Sequence, residues 1–98
     1  MKLLPFSRYR ISGHSMEPTL KNGQVVWVNH WYYLINKIRV GDIAAYEFQG
    51  KLLIKRIKEV KREKVFFLGD NSNDSFDSRQ FGYVDKKEVL GKVLIKSA

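Results

Sequence analysis

A chain of 98 residues, 44% hydrophobic and 29% charged, is long enough for one folded domain with a single modest core, here taken as residues 1–98. The absence of cysteine excludes disulfides, thiolate metal sites and cysteine nucleophiles; two histidines, His14 and His30, without H-x-x-x-H spacing argue against a metal centre, so no metal and no cofactor is expected. The net charge of +8 suits an anionic partner, whether nucleic acid, a phospholipid surface or an acidic polypeptide, and suits plain solubility equally well.

The first residues, Met1 to Phe6, lack both the roughly 7 to 15 apolar residues of a signal-peptide core and the roughly 20 that cross a bilayer. The expectation is a soluble, cytoplasmic chain; an anchor lost from the sequence would place it instead on the extracytoplasmic face of a membrane. Ser7 to Ile11 alternates weakly and predicts a short strand. It delivers the chain to Ile11-Ser12-Gly13-His14-Ser15-Met16-Glu17-Pro18-Thr19-Leu20, where a Gly-containing entry and a Met-x-Pro exit predict a sharp turn that presents the Ser15 hydroxyl on a loop. Asn22-Gly23 is a turn signal, and Gln24 to Val28 reads as the next strand. Trp27, Trp31, Tyr32 and Tyr33 follow closely. Most of these aromatics are expected in the core, the other readings being a peptide-binding wall, a membrane-interface patch and a base-stacking surface.

Gly41-Asp42 opens the strand Ile43 to Phe48, Gln49-Gly50 closes a hairpin into Lys51 to Val60, and the polar reversal Lys61 to Lys64 leads into Val65 to Leu68. This is an antiparallel meander, and the fold class is mainly β. Glu88 to Ile95 predicts a closing strand, with Gly91 marking a bulge.

A serine hydroxyl is a weak nucleophile until a base takes its proton. His14 is adjacent in sequence, and neighbouring side chains of an extended stretch point apart. His30 with Asp70 or Asp77 would make a triad that nothing in the spacing requires. Lys55 is the stronger candidate, because alternation puts it on one face of its strand with Leu53 and Ile57, while Arg56 and Lys58 take the other. A lysine with pKa near 10.4 is neutral at pH 7 only about four times in ten thousand, a handicap of roughly 4.6 kcal/mol. Desolvation can lower such a pKa by up to about 3 to 5 units, which removes most of the handicap. A turn about Arg62-Glu63 sets Lys55 opposite Asp70, and a carboxylate in contact would oppose that effect. The loop Gly69 to Arg79 is rich in turn formers and short hydrogen-bonding side chains, among them Ser75, Asp77 and Arg79.

Three segments, Gly13-x-Ser15-Met16-x-Pro18-Thr19-Leu20, Ile54-Lys55-Arg56-Ile57 and Gly69-Asp70-Asn71-x-x-x-Ser75-x-Asp77-Ser78-Arg79-x-x-Gly82-x-Val84, together resemble the signature boxes of the type I signal peptidase family, the serine/lysine-dyad proteases. The resemblance runs from about Ile11 to Leu94. It implies a small twisted antiparallel sheet or partly closed barrel with its site in a groove. By this resemblance Ser15 is the nucleophile, Lys55 the general base, Ser75 the hydroxyl that orients the lysine, and Asp77 with Arg79 a structural ion pair. Where some members carry an oxyanion-binding serine this chain has Gly13, so the main-chain N–H of Ser15 is expected to serve, with Gly13 and Met16 beside the substrate. The Gly-Leu-Pro-Gly-Asp extension after the lysine box, the membrane anchors and the larger inserted domain are missing. This compact form looks most like the soluble nickel-type superoxide dismutase maturation proteases.

The implied activity is a serine endopeptidase that makes one cut in the N-terminal leader of a protein precursor. An alternative within the family is a signal peptidase I core without its anchor, in peripheral contact with an anionic membrane surface. From another class comes a basic nucleic-acid-binding β domain stacking bases on Trp27, Trp31 and Tyr32, which leaves the three boxes as accidents and is disfavoured.

Overall fold

Runs of alternating apolar residues separated by Gly- and Asn-containing turns fold into strands, and the structure, a computed structural model, describes residues 4–95. In chain order the elements are β1 (Phe6–Arg10), β2 (Val25–Asn29), a single helical turn α1 (Tyr32–Ile35), β3 (Ile43–Phe48), β4 (Lys51–Val60), β5 (Lys64–Leu68), α2 (Ser78–Phe81), β6 (Val84–Asp85), a 3₁₀ turn (Lys86–Glu88) and β7 (Val89–Leu94). The seven strands form one antiparallel sheet in the order β1-β2-β7-β3-β4-β5-β6, curled into a half-barrel. The six expected strands are all present. The four short elements α1, α2, β6 and the 3₁₀ turn carry too few residues to show a period. No helix among the described residues is long and apolar enough to cross a membrane, and the opening residues Met1 to Leu3 lie outside them.

The central strand β3 is buried on both faces, which is why Ile43-Ala44-Ala45-Tyr46 reads as an unbroken apolar run. Ile43 and Ala45 join Val26, Val28, Val93, Met16 and Leu20 in one core, while Ala44 and Tyr46 join Ile57, Val65, Phe67 and Val84 in the other. The expected irregularity at Gly91 is there: Ala45 pairs with Gly91 and Tyr46 with Val89, so Leu90 is the extra residue of a bulge. Any Cβ at Gly91 would press on the Asn29 carbonyl of β2.

Two expectations are corrected. The aromatic run is mostly outside the core: Trp27 and Trp31 remain 44% and 42% exposed, and of the four only Tyr33 packs against a core cluster. Alternation along β2 buries Val26 and Val28, and that turns Trp27 outward, where the Arg8 guanidinium sits 5.8 Å from its ring. Lys92 covers Tyr32 in the same way at 4.5 Å.

The second correction concerns β4 and β5. Val60 pairs with Val65 and Glu59 with Phe66, as a turn at Arg62-Glu63 requires, but a bulge at Lys58 shifts the register so that Ile57 faces Phe67 and Arg56 faces Leu68. Lys55 is therefore level with Gly69. Asp70 is held by Arg56 instead.

Candidate active site

Lys55 stands on the face of β4 that carries Ile57 and Leu53, opposite Ala44 of β3, and it is 6% exposed. Its amine is hydrogen-bonded to the hydroxyl of Ser15, Nζ to Oγ 2.6 Å, across forty positions of sequence. Burial lowers the Lys55 pKa below the ordinary lysine value, against an opposing pull from the Asp77 charge. The carboxylate expected to spoil the base is engaged elsewhere. Asp70 takes Arg56 Nε at 2.8 Å and Nη2 at 2.7 Å, and it accepts from Thr19 Oγ1 at 2.6 Å. That cluster ties the strand carrying Lys55 to the loop carrying Ser15.

The Ser15 loop is seated on the segment after β5. Asn71 brackets it, its main-chain N–H donating to the Ser15 carbonyl at 2.8 Å and its side-chain amide to the His14 carbonyl at 3.0 Å. Asp70 N–H donates to the thioether of Met16 at 3.4 Å, and Met16 and Leu20 plug into the first core. Gly69 lies so close that a Cβ there would come within 2.7 Å of the Ser15 carbonyl oxygen and nearer still to the Ser75 hydroxyl. Thr19 and Asn71 are positioning residues that the sequence motifs contain but whose spacing gives no hint of partners.

Asp77 is fully buried and accepts five hydrogen bonds: Gly69 N–H at 2.8 Å, Ser75 Oγ at 2.7 Å, Arg79 N–H at 3.1 Å, and Arg79 Nε and Nη2 each at 3.0 Å. Burial pushes this carboxyl up, but the donors from Arg79, Gly69 and Ser75 outweigh it and hold the pKa at about 2. Asp77 also caps α2, in a reciprocal box with Gln80. The loop that looked like a string of turn formers is thus organised around one anionic centre beneath the site.

The other sequence candidates lie elsewhere. His14 pairs with Glu17 at the surface, Nδ1 to Oε2 2.8 Å, and its pKa is raised by that partner. His30 is held between β1 and β7, its ring nitrogens 2.9 Å from Ser7 Oγ and 3.1 Å from the Leu90 carbonyl, so the structure does not bring it to Ser15. The Gly13 N–H donates to Asn22 Oδ1 at 2.9 Å. No cluster of metal-ligating side chains occurs among the described residues.

A cleft of about 140 Å³ opens beside the Ser15 hydroxyl, with Tyr9 to Ser12 on one side, Leu52 to Lys55 on the other, and Ser15 and Met16 between. Both walls are unpaired strand edges. Ile57 exchanges main-chain bonds with Gly41 and Asp42, and alternation then aims the N–H and C=O groups of Leu52 and Ile54 away from β3, into the cleft. β5 pairs with β4 only from Arg56 onward, so no strand among the described residues covers them. On the facing wall Ile11 bonds back toward β2, through Gln24 and Gly23, which turns the main-chain groups of Arg8 and Arg10 outward from the terminal strand.

Comparison with known proteins gives the family. The family model described as signal peptidase, peptidase S26, covers residues 1–58 and 54–97. The chain belongs to that family. Signal peptidase I of Bacillus caldolyticus is 29% identical to it over 145 aligned positions, covering 95% of this chain and 80% of that protein. Signal peptidase I V of Bacillus subtilis (strain 168) is 24% identical over 140 positions, covering 90% and 83%. Signal peptidase I of Buchnera aphidicola subsp. Acyrthosiphon pisum is 34% identical over 67 positions, covering 68% of this chain and 21% of the relative. Because the Bacillus alignments run well beyond the 98 residues of this chain, those relatives contain inserted segments that it lacks. The S26 match falls in two parts that overlap within β4. The protein is a serine peptidase of the S26 type with a mainly β core.

Proposed function

We propose that this S26 peptidase is an endopeptidase that makes one cut in the N-terminal leader of a protein precursor, with Ser15 as nucleophile and Lys55 as general base. The 2.6 Å contact between a buried lysine amine and the loop serine hydroxyl carries the reading. Neutral Lys55 takes the Ser15 proton as the oxygen attacks the scissile carbonyl and returns it to the leaving amine; a water activated by the same amine then releases the acyl group. Ser75, with its own proton on Asp77, keeps lone pairs to steady the lysine, and Asp77 with Arg79 fixes the loop. The Ser15 N–H is the assigned oxyanion donor.

The cleft favours an extended substrate. A leader peptide lying between the edges of β1 and β4 gains main-chain bonds from Leu52 and Ile54, and the small apolar floor selects short side chains next to the cut. By its compact form the chain is assigned to leader trimming of the kind performed by nickel-type superoxide dismutase maturation proteases. Incubation with a panel of precursor leader peptides, a superoxide dismutase precursor among them, followed by mass spectrometry, is expected to give a single cut. Ser15→Ala and Lys55→Ala should each abolish it with the fold intact. Full activity in Lys55→Ala together with loss in His30→Ala would reverse the mechanism.

A further inference from the structure

Tyr46 is fully buried in β3, and its hydroxyl has no hydrogen-bond partner among the described residues. Phenylalanine would fill the same space without stranding a polar atom, so the oxygen calls for a partner. Its surroundings are not an apolar dead end. Tyr46 pairs with Leu53 and Phe67 with Ile57, yet their rings stack with centroids 3.8 Å apart. The stack therefore bridges from β3 to β5 across β4 at the level of Lys55, which lies between Leu53 and Ile57 on that same face. The charge of Asp77 reaches both the phenol and the lysine amine.

We propose that Tyr46 is a positioning residue for Lys55, its phenol oxygen accepting a hydrogen bond from the ammonium that forms when Lys55 takes the Ser15 proton. The inference rests on the Ser15–Lys55 reading above. An ammonium has three N–H donors, and each calls for an acceptor. Ser15 Oγ is one, at 2.6 Å. Ser75 is assigned as the second: a Cβ on Gly69, level with Lys55, would meet both the Ser15 carbonyl and the Ser75 hydroxyl, whose proton is committed to Asp77. Tyr46 is the third. Burial, with the Asp77 charge behind it, pushes the phenol pKa up, so the group stays a neutral hydroxyl. A partner required only after proton transfer stabilises the charged state above the resting one, which is the condition for it to help the reaction.

The amine is bonded to Ser15 of the nucleophile loop and feels the charge of Asp77, which Arg79 and Ser75 hold in the loop after β5; Tyr46 of β3 shares the face of Lys55, and its neighbours on β4, Leu53 and Ile57, are apolar. The test is an NMR titration of the full chain labelled at the lysine side-chain carbons, with Lys55→Met assigning the signal. In Tyr46→Phe, which keeps the ring stack, the Lys55 midpoint is expected about one pH unit below that of the wild type, the loss of one hydrogen bond to a charged group. A wild-type midpoint already below the ordinary lysine value, and unmoved or raised in Tyr46→Phe, overturns this inference alone. A wild-type midpoint in the ordinary range overturns the base assignment and this inference with it.

Discussion

Arg56 grips Asp70 with two parallel hydrogen bonds of 2.8 and 2.7 Å, and by doing so it leaves the next residue, Lys55, without a carboxylate in direct contact. Adjacent residues on a strand face opposite ways, so one step of alternation separates a structural cation from the proposed base. The pair is partly buried and bidentate, the arrangement in which an ion pair fixes geometry.

Arg56→Met is accordingly expected to impair cleavage without touching the reacting groups. It frees a carboxylate near Lys55 and removes a neighbouring positive charge, and both changes favour the charged amine. The rising limb of the pH–rate profile should move to higher pH, with lower activity at neutrality. An unchanged profile in a folded variant would mean that Asp70 does not reach the base.

The sequence makes the face of Lys55 legible, because Leu53, Lys55 and Ile57 obey the period of two wherever the strand is regular. It does not reveal the bulge at Lys58, where a single extra residue changes the partner of everything beyond it and moves Asp70 from the face of Lys55 to that of Arg56. The Ser15 and Gly69 loops are recognisable by their motifs, yet the bonds that join them, Asn71 to Ser15 and Thr19 to Asp70, close over fifty positions and have no local signal. Trp27 shows the converse error. Size suggests a core residue, and the alternation of Val26 and Val28 around it was the better guide.

Lys55→Met should abolish cleavage and stabilise the fold at neutral pH. The lysine pKa is lowered by burial, so between its folded value and the ordinary lysine range the unfolded chain binds more protons, and wild-type stability rises with pH across that window. The variant lacks this rise. Denaturant midpoints of the two proteins should therefore converge as pH increases, and parallel curves would show the amine to be solvated.

Asp77 has the opposite sign. Its pKa, about 2 against an ordinary value of 3.8, supplies about 2 kcal/mol of stability that is complete above pH 4 and is lost as pH falls toward 2. Asp77→Ala strands the Gly69 N–H, the Ser75 hydroxyl and Arg79 around a buried hole, at a cost of about 3–5 kcal/mol. Arg79→Met should cost less, since the main-chain and Ser75 donors to the carboxylate remain and the guanidinium is partly exposed. Equilibrium unfolding of both variants between pH 2 and 7 checks the order; equal losses would place the stabilisation in the ion pair alone.

Gly69→Ala tests how tightly the site is built. The residue does not need an unusual φ, and its requirement is space: the added methyl meets the Ser15 carbonyl oxygen at 2.7 Å and the Ser75 hydroxyl closer than that. Main chain on one side and a hydroxyl locked to Asp77 on the other leave it no cheap way out, so the Ser15 loop must move off Gly69 and lengthen the contact with Lys55. A shift of about 1 Å in such a pair is enough to lower the rate on the order of 100-fold. The substitution should therefore reduce the turnover number far more than it reduces stability, and chemical denaturation run beside peptide cleavage separates the two. Near-normal turnover in Gly69→Ala would show that the loop tolerates displacement and that the 2.6 Å contact is not what sets the rate.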